Sequence, residues 1–168
     1  MDIEISNEKP GDDLKIHQVT EQAFLHAPHA DHTEQFIVDA LRRAAALTVS
    51  KVAKVDGDII AHVAISPISL STGASGWFGL GPISVLPEFQ GRGIGSKLMQ
   101  SSLCALKEMG ASGCVVLGDP AYYARFGFKL VDGLVFPGVP AEYFQALSFS
   151  GEFPKGEVCY HEAFSAQA

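Results

Sequence analysis

The segment from residue 80 to residue 117 constrains the fold of this sequence more than any other part. Leu80 to Leu86 is an apolar run typical of a strand, and Cys114 to Leu117 is a second run without a polar interruption. Between them lie a glycine-rich turn and a helix that ends near Gly110, a residue type common at helix C-termini. This order predicts a strand–helix–strand crossover between parallel strands. The unbroken second run is typical of a strand covered on both faces.

The helix inside this segment is amphipathic, which predicts the side that faces the sheet. At about 100° per residue, its apolar and polar side chains separate into two halves. The half predicted to pack on the sheet contains Ile94, Leu98, Met99, Leu103, Ala105, Leu106 and Met109. The half predicted to face solvent contains Ser96, Lys97, Gln100, Lys107 and Glu108.

The remainder of the sequence predicts antiparallel strands and two helices that cover them. Ile3 and Ile5 alternate with polar residues in a short first strand, and helices are predicted to end near Phe24 and to begin at Thr33. The pair Asp56-Gly57 between two β-rich runs is a strong hairpin signal. After the hairpin the predicted strands are Trp77 to Leu86, Leu130 to Phe136 and a segment near Val158 and Tyr160, while Tyr143 to Phe149 is left open between strand and helix.

Length and composition fit one folded domain over residues 1–168. A chain of this size buries roughly 70% of the surface that its unfolded form exposes, and 47% of its residues are hydrophobic. General disorder is therefore excluded. Acidic residues outnumber basic ones by 19 to 12, for a net charge of −7. Because a negative surface repels phosphate backbones, nucleic acid and anionic membranes are not expected as main partners.

The N-terminus and the cysteines predict a cytoplasmic protein. Residues 1–4 lack the basic and apolar stretches of a secretion signal, and no long apolar run predicts a membrane span. Cys104, Cys114 and Cys159 are odd in number and lack metal-ligand spacing. They are predicted to be reduced thiols.

The turn from Gln90 to Gly95 has the properties of an anion-binding site. Its three glycines allow positive φ and leave no Cβ between the backbone and a ligand. The first N–H groups of the following helix lack intrahelical partners and lie at the positive end of the helix dipole, which favours a pyrophosphate. Arg92 adds local positive charge. Dinucleotide and Walker A motifs are excluded by spacing, and a turn that only packs the helix on the sheet is the alternative.

Two motifs in this order resemble the GNAT superfamily of N-acetyltransferases. Ile83 to Gly95 joins an apolar strand and a proline to Gln-x-x-Gly-x-Gly, similar to the family's acetyl-coenzyme A motif. Downstream, Asp119 to Phe128 resembles its Tyr-x-x-x-Gly-Phe segment, with Tyr123 in the tyrosine position. This segment and the C-terminal run from Pro140 to Phe164 resemble the YhbS-like branch.

The resemblance implies a GNAT-like acyl-CoA N-acyltransferase fold. In that α/β fold a twisted, mostly antiparallel mixed sheet, flanked by helices, contains a splayed parallel pair formed by its fourth and fifth strands. Pro82 in the predicted fourth strand favours such a splay, because proline cannot donate a ladder hydrogen bond. Acetyl-CoA, the implied acetyl donor, would bind the backbone of this strand and the glycine-rich turn. The implied coenzyme-binding residues are Ile83, Ser84, Val85, Gln90, Gly91, Arg92, Gly93, Ile94, Gly95 and Ser96.

The resemblance also implies direct transfer of the acetyl group to a primary amine, without a covalent acyl-enzyme. The sulfur of coenzyme A leaves more easily as a protonated thiol than as a thiolate, and Tyr123 is the implied proton donor. The alternative for Tyr123 is an ordinary half-buried aromatic residue beside Tyr122 and Phe126. Cys104 and Cys114 lack a histidine motif for thiol catalysis and are predicted to be inert.

The sequence does not identify the group that accepts the proton of the amine. Many family members use a carboxylate on or beside the fourth strand, but Trp77 to Leu86 contains no acidic residue. Glu34 and His62 are weak candidates that could face the acceptor, and Glu88 is a third that we expect to be solvated. The missing carboxylate leaves an alternative open, a non-catalytic acyl-CoA-binding or regulatory module on the same fold.

The acceptor is expected to be an amine on a small molecule or a peptide, and the sequence leaves a homodimer open. A loop with His26, His29 and His32 has the composition of a metal site, but its spacing matches no standard zinc pattern and Pro28 interrupts any helical face. We therefore expect no bound metal. A solvated loop that borders the acceptor site is the favoured interpretation.

Overall fold

The structure is a computed structural model that describes residues 2–28 and 30–168, and within these the chain forms eight β-strands and four α-helices. The strands are β1 (Glu4–Asn7), β2 (Val49–Val55), β3 (Asp58–Leu70), β4 (Trp77–Val85), β5 (Gly113–Leu117), β6 (Leu134–Val135), β7 (Phe144–Ser148) and β8 (Gly156–Tyr160). The helices are α1 (Asp13–Phe24), α2 (Glu34–Arg43), α3 (Ile94–Glu108) and α4 (Pro120–Ala124).

The sheet runs in the order β1-β2-β3-β4-β5-β7, and along this path only β4 and β5 are parallel. The far end of β3 pairs with β8, which in turn pairs with β6. The crossover from β4 through α3 to β5 confirms the predicted strand–helix–strand unit. The predicted mixed, mostly antiparallel sheet is also confirmed.

The hairpin between β2 and β3 depends on two residues with positive φ. Asp56 has φ 52° and Gly57 has φ 84°, and Val55 pairs directly with Asp58. Two left-handed residues in a two-residue loop match the twist of the flanking strands. The Asp-Gly hairpin predicted from the sequence is confirmed.

The sheet carries helices on both faces because successive strand residues point to opposite sides. Val63 and Val85 pack into the cluster that contains Leu98 of α3. On the opposite face, the Oγ atom of Ser84 lies 3.5 Å from Oγ1 of Thr20 on α1. Helix α3 therefore covers one face of the central strands, and α1 covers the other.

The apolar face of α3 follows the predicted pattern except at its end. Met109 was predicted to pack on the sheet, but 58% of its surface is exposed. The helix ends at Glu108, and Gly110 turns the chain with φ 84°. Met109, the C-cap residue, still donates its N–H to Ala105 O at 3.1 Å. Its exposure therefore reflects its place at the end of the helix and not a departure from the helical period.

Strands β4 and β5 pair over three residues only, 77–79 with 113–115. Beyond Gly79 they separate, while β4 stays paired with β3 as far as Val85. Pro82 lies in the separated part and has no N–H to donate. The predicted splayed pair is confirmed, and its consequence is that residues 80–85 have no strand partner on the β5 side.

The segments after the crossover complete the sheet. Residues 130–136 contain only the two-residue strand β6. Within residues 143–149, Phe144–Ser148 form strand β7, and Tyr143 ends a short 3-10 helix. Strand β7 pairs antiparallel with β5, which is buried from Gly113 to Val116. In the part of the chain that the structure describes, no helix is long and apolar enough to cross a membrane.

Candidate active site

A pocket of about 400 Å³, the α3 pocket, lies at the N-terminus of α3. It brings together the end of β4, the glycine-rich turn, the first turn of α3 and helix α4. Its lining residues are Val85, Phe89, Gln90, Gly91, Gly93, Ile94, Gly95, Ser96, Tyr122 and Arg125. Seven of the ten residues predicted to bind a coenzyme are among them.

The glycines of the turn leave the backbone open to the α3 pocket. Gly91 and Gly93 have φ values of 76° and 78°, and a Cβ on either residue would meet no atom within 4 Å. Gly93 is the N-cap of α3, whose first hydrogen bond runs from Lys97 N to Gly93 O at 3.2 Å. The N–H groups of the three residues before Lys97 therefore have no intrahelical partner. Together with the helix dipole, they make the pocket suitable for an anion.

Arg125 and Tyr122 contribute a positive and an aromatic side chain to the α3 pocket. The Nη2 atom of Arg125 donates to Ser96 Oγ at 2.7 Å, and its guanidinium lies 5.0 Å from the centroid of the Tyr122 ring. A Cβ on Gly95 would lie 3.1 Å from the Tyr122 hydroxyl, so the glycine makes room for this tyrosine. Neither residue was predicted from the sequence to have a role, unlike their neighbour Tyr123. The i, i+3 spacing of Tyr122 and Arg125 is the signal that could have identified them.

Three of the predicted coenzyme-binding residues do not line the α3 pocket. Arg92 is exposed on the turn, with its guanidinium 5.6 Å from the centroid of the Phe89 ring. The side chain of Ser84 is buried and faces Thr20 of α1. Ile83 lines a different cleft, described below.

The unpaired edge of β4 reaches the α3 pocket. Leu86 N donates to Ile60 O of β3 at 3.0 Å, so the preceding residue directs its backbone groups to the side that lacks a strand. On that side Gln90 Nε2 donates to Val85 O at 3.0 Å. An extended ligand can pair with such an edge as an added strand does.

A second cavity of about 450 Å³, the β4 cleft, opens beside residues 80–83. It is built by the end of α1, the start of α2, strand β4, the end of β5 and the C-terminal segment. Its lining residues are Phe24, Glu34, Ile37, Leu80, Gly81, Pro82, Ile83, Leu117, Phe136, Tyr160 and Phe164. The aromatic residues of this cleft were not predicted from the sequence, because they come from distant parts of the chain.

Tyr123 stands beside the end of β5, where β4 and β5 have separated. A Cβ on Gly118 would lie 2.6 Å from its ring, so the ring packs directly on the glycine backbone. Its ring also makes edge-to-face contacts with Tyr122 and Phe128, at centroid distances of 5.0 and 6.0 Å. Burial, with smaller effects of Tyr122 and Asp119, raises the pKa of Tyr123 to about 12. Its hydroxyl therefore keeps its proton at neutral pH.

The three candidate bases lie in different places. Glu34 lines the β4 cleft. Glu88 is exposed on the short turn Pro87–Phe89, as expected for a solvated residue. The expectation that His62 could face the acceptor is wrong: it is fully buried within β3, and it does not line the β4 cleft.

His62 instead lies at the buried end of a partly buried polar network. Its Nε2 atom lies 2.8 Å from Ser50 Oγ, which also donates to Glu8, and Arg42 forms an ion pair with Glu8 at 2.9 Å. Burial lowers the pKa of His62 to about 4, so the ring is neutral. Burial alone would raise the pKa of Glu8, but the hydrogen bonds from Arg42 and Ser50 lower it overall.

His62 is expected to make the protein less stable in mild acid. In the unfolded chain the imidazole becomes protonated below about pH 6.5, whereas in the folded chain it stays neutral down to about pH 4. The free energy of unfolding is therefore expected to fall by about 2 kcal/mol between pH 7 and pH 5 through this residue alone. Urea unfolding followed by the fluorescence of the buried Trp77 measures this loss. His62→Gln should not show this loss of stability. An equal loss in the variant would contradict its attribution to His62.

The histidine-rich loop lies next to the β4 cleft. Phe24 and Glu34, which flank the loop, both line that cleft. His26 and His32 are exposed, and His29 lies outside the described residues. That the loop borders the acceptor site stays a prediction.

Comparisons with known proteins agree with this geometry. Residues 47–130 match the family model of the acetyltransferase (GNAT) domain. The chain is also 35% identical over 129 residues to the uncharacterized N-acetyltransferase YhbS of Escherichia coli K12, covering 76% of this chain and 72% of YhbS. The chain belongs to the GNAT acetyltransferase family. The resemblance to the YhbS-like branch is thereby confirmed.

Two solved structures of GNAT proteins are similar to this one over nearly their whole length. The first is an acetyltransferase from Brucella melitensis in complex with acetyl-CoA, with a TM-score of 0.87, 47% identity and coverage of 97% of this chain and 98% of that one. The second is YhbS from Escherichia coli in complex with CoA, with a TM-score of 0.86, 32% identity and coverage of 99% and 93%. The GNAT fold expected from the sequence is confirmed.

Proposed function

We propose that this chain is an acetyl-CoA-dependent N-acetyltransferase, a single domain over residues 1–168 that transfers the acetyl group directly to a primary amine. The observation that carries the proposal is the meeting of an anion-binding helix N-terminus with the unpaired edge of β4. Val85 and Gln90 belong to both features. The two similar structures that hold acetyl-CoA and CoA support the same reading.

The residues of the α3 pocket fit the coenzyme. The free N–H groups at the start of α3 and the side chain of Arg125 would hold the pyrophosphate. The open backbone above Gly91 and Gly93 lets the phosphates approach it closely. The backbone of residues 83–85 would pair with the extended arm, with Gln90 at its end. The proposed coenzyme-binding residues remain Ile83, Ser84, Val85, Gln90, Gly91, Arg92, Gly93, Ile94, Gly95 and Ser96, to which we add Tyr122 and Arg125.

The chemistry requires a proton donor and a path for the amine. Acetyl-CoA supplies an activated acetyl thioester when it is bound. Tyr123 would give its hydroxyl proton to the departing sulfur, since this hydroxyl is protonated at neutral pH. Burial raises the pKa of the Cys114 thiol, so this cysteine stays protonated and is a poor nucleophile at neutral pH. This supports transfer without a cysteine-bound intermediate.

We place the acceptor amine in the β4 cleft, which is adjacent to the splayed strands. Ile83 lines this cleft, while Val85 of the same strand lines the α3 pocket. Of the three candidate bases, Glu34 lies in it and is proposed to contact the amine. We further propose that the protein works in the cytoplasm, where its free cysteines stay reduced.

Two measurements test this function. Calorimetric titration of the purified chain with acetyl-CoA is expected to give micromolar binding. Release of free thiol in the presence of a panel of primary amines then measures transfer. Binding without transfer to any amine would favour the alternative of a non-catalytic acyl-CoA-binding module. Failure of the chain to bind acetyl-CoA would overturn the proposal.

Arg125→Ala is expected to weaken acetyl-CoA binding roughly tenfold to hundredfold, because it removes a charged donor from the α3 pocket. Arg125→Lys should restore only part of the affinity, since lysine lacks the planar fork that stacks on Tyr122. Calorimetric titration measures both variants. Arg43→Ala, at an exposed position at the end of α2, is the matched control and should leave the affinity unchanged. Equal affinities for Arg125→Ala and the control would contradict a role in coenzyme binding.

A further inference from the structure

We propose that the acceptor is a monocationic amine with an apolar body, bound in the β4 cleft with its ammonium group on Glu34. This inference rests on the proposed function and adds the chemical class of the acceptor. It is carried by the lining of the cleft and by two of its lining residues, each of which has a buried polar atom without a partner among the described residues.

The walls of the β4 cleft are almost entirely apolar. Among the described residues that line it, Glu34 carries the only charge, and Tyr160 has the only other polar side chain. The remaining side chains are aliphatic or aromatic, with three phenylalanines. When an apolar ligand binds against such walls, apolar surface of both is removed from water, which favours binding. The body of the ligand should therefore be apolar.

One of the two carboxylate oxygens of Glu34 has no hydrogen-bond partner among the described residues. Its Oε2 atom accepts a hydrogen bond from the backbone N–H of Asp31 at 3.1 Å, which holds the side chain in place. Its Oε1 atom is buried and has no hydrogen-bond partner within residues 2–28 and 30–168. A buried acceptor without a donor is costly, and an ammonium group supplies both the donor and the opposite charge. This favours a cation at this end of the cleft.

The hydroxyl of Tyr160 is the second unpartnered group. Its ring crosses β4 at Gly79, where any Cβ would collide with Cε1 of the ring. Its hydroxyl is buried and has no hydrogen-bond partner in the described part of the chain. A hydroxyl can donate and accept, so it suits a polar atom of the bound ligand. Two residues that line the apolar cleft thus each carry one polar atom without a partner in the described part of the chain.

The cleft selects against acceptors with several charges. One carboxylate pairs with one cation, and each further ammonium or guanidinium group would be buried against apolar walls without a partner. The volume of about 450 Å³ equals that of roughly 15 water molecules in the liquid. A body of about ten heavy atoms therefore fits, and a polyamine or a basic peptide side chain matches the lining poorly.

The test measures binding to the full chain in the presence of saturating CoA, so that no turnover occurs. Four probes are titrated calorimetrically: phenethylamine, its uncharged analogue 2-phenylethanol, ethylamine and spermidine. Phenethylamine is expected to bind at least tenfold more tightly than each of the other three. The loss of the cation weakens 2-phenylethanol, the loss of apolar surface weakens ethylamine, and the unpaired charges weaken spermidine.

A matched pair of variants tests the role of Glu34. Glu34→Gln keeps the size of the side chain and an oxygen for the Asp31 N–H, and it should weaken phenethylamine at least tenfold with CoA affinity unchanged. Glu21→Gln makes the same change of charge at an exposed position of α1 and should have no effect. With Glu34→Gln, phenethylamine and 2-phenylethanol should bind with nearly equal affinity.

The outcomes separate this inference from the proposed function. Spermidine binding more tightly than phenethylamine, or 2-phenylethanol binding as tightly as phenethylamine to the wild-type chain, would overturn the acceptor class. Binding of CoA with no binding of phenethylamine would overturn it as well and leave the coenzyme site standing. A chain that binds no CoA would overturn the proposed function, and this inference with it.

Discussion

Gly93→Asp is expected to reduce the affinity for acetyl-CoA at least hundredfold. Gly93 lines the α3 pocket, and a Cβ on it would meet no atom within 4 Å. The carboxylate would therefore occupy the place of the pyrophosphate and take up the N–H groups at the start of α3. Like charges brought together in a binding site cost several kcal/mol, which accounts for the size of the loss. Calorimetric titration of wild type and variant measures it.

Two further variants separate charge from backbone strain. Gly93→Asn has nearly the same shape as the aspartate and accepts positive φ, so it should lose less affinity than Gly93→Asp. Gly110→Asp introduces the same side chain at φ 84° beyond the opposite end of α3, with open space around its Cβ. It should bind acetyl-CoA as the wild type does, at a stability cost of about 1 kcal/mol. Unchanged binding in Gly93→Asp would place the coenzyme elsewhere.

Tyr123→Phe is expected to lower kcat by about 10² to 10⁴, the usual contribution of a general acid. The substitution removes only the hydroxyl and keeps the ring that packs on Gly118 and against Phe128. The affinity for acetyl-CoA should therefore stay the same. Thiol release under saturating substrates gives kcat, and calorimetry gives the affinity.

The pH dependence sharpens this prediction. Because the pKa of Tyr123 is raised to about 12, its proton is present throughout the range from pH 6 to pH 10. Within that range the titration of Tyr123 should cause no loss of kcat in the wild type. Tyr143→Phe changes an exposed tyrosine and serves as the control. If Tyr123→Phe kept the kcat of the wild type, Tyr123 would not be the general acid and would serve only in packing.

The elements with strong local signals were predictable from the sequence. The Asp56-Gly57 hairpin needs two residues with positive φ, and Asp-Gly is a pair that adopts this conformation readily. The period of α3 predicted its buried face, because a helix repeats the same geometry along its length. Met109 is the exception: as the C-cap residue it keeps a helical φ, but at the end of the helix its side chain is exposed.

The two cavities differ in how far the sequence predicted them. Most of the α3 pocket comes from one continuous stretch, Val85 to Ser96, so motif and site coincide. The β4 cleft joins Phe24, Glu34, Phe136 and Phe164. From the sequence alone, each of these residues could equally be an ordinary core or surface residue. Nothing in their local sequence states that they meet.

The sequence by itself determined the crossover, the anion-binding turn and the family to which the chain belongs. These features are local, because helix dipoles, glycine conformations and strand periods act over a few residues. Only the tertiary structure decided that His62 lies in a partly buried network with Ser50 and that Glu34 lines a cleft. Such placements depend on which distant strands and helices pack together. That choice is made by the burial of the whole apolar surface, which no single segment encodes.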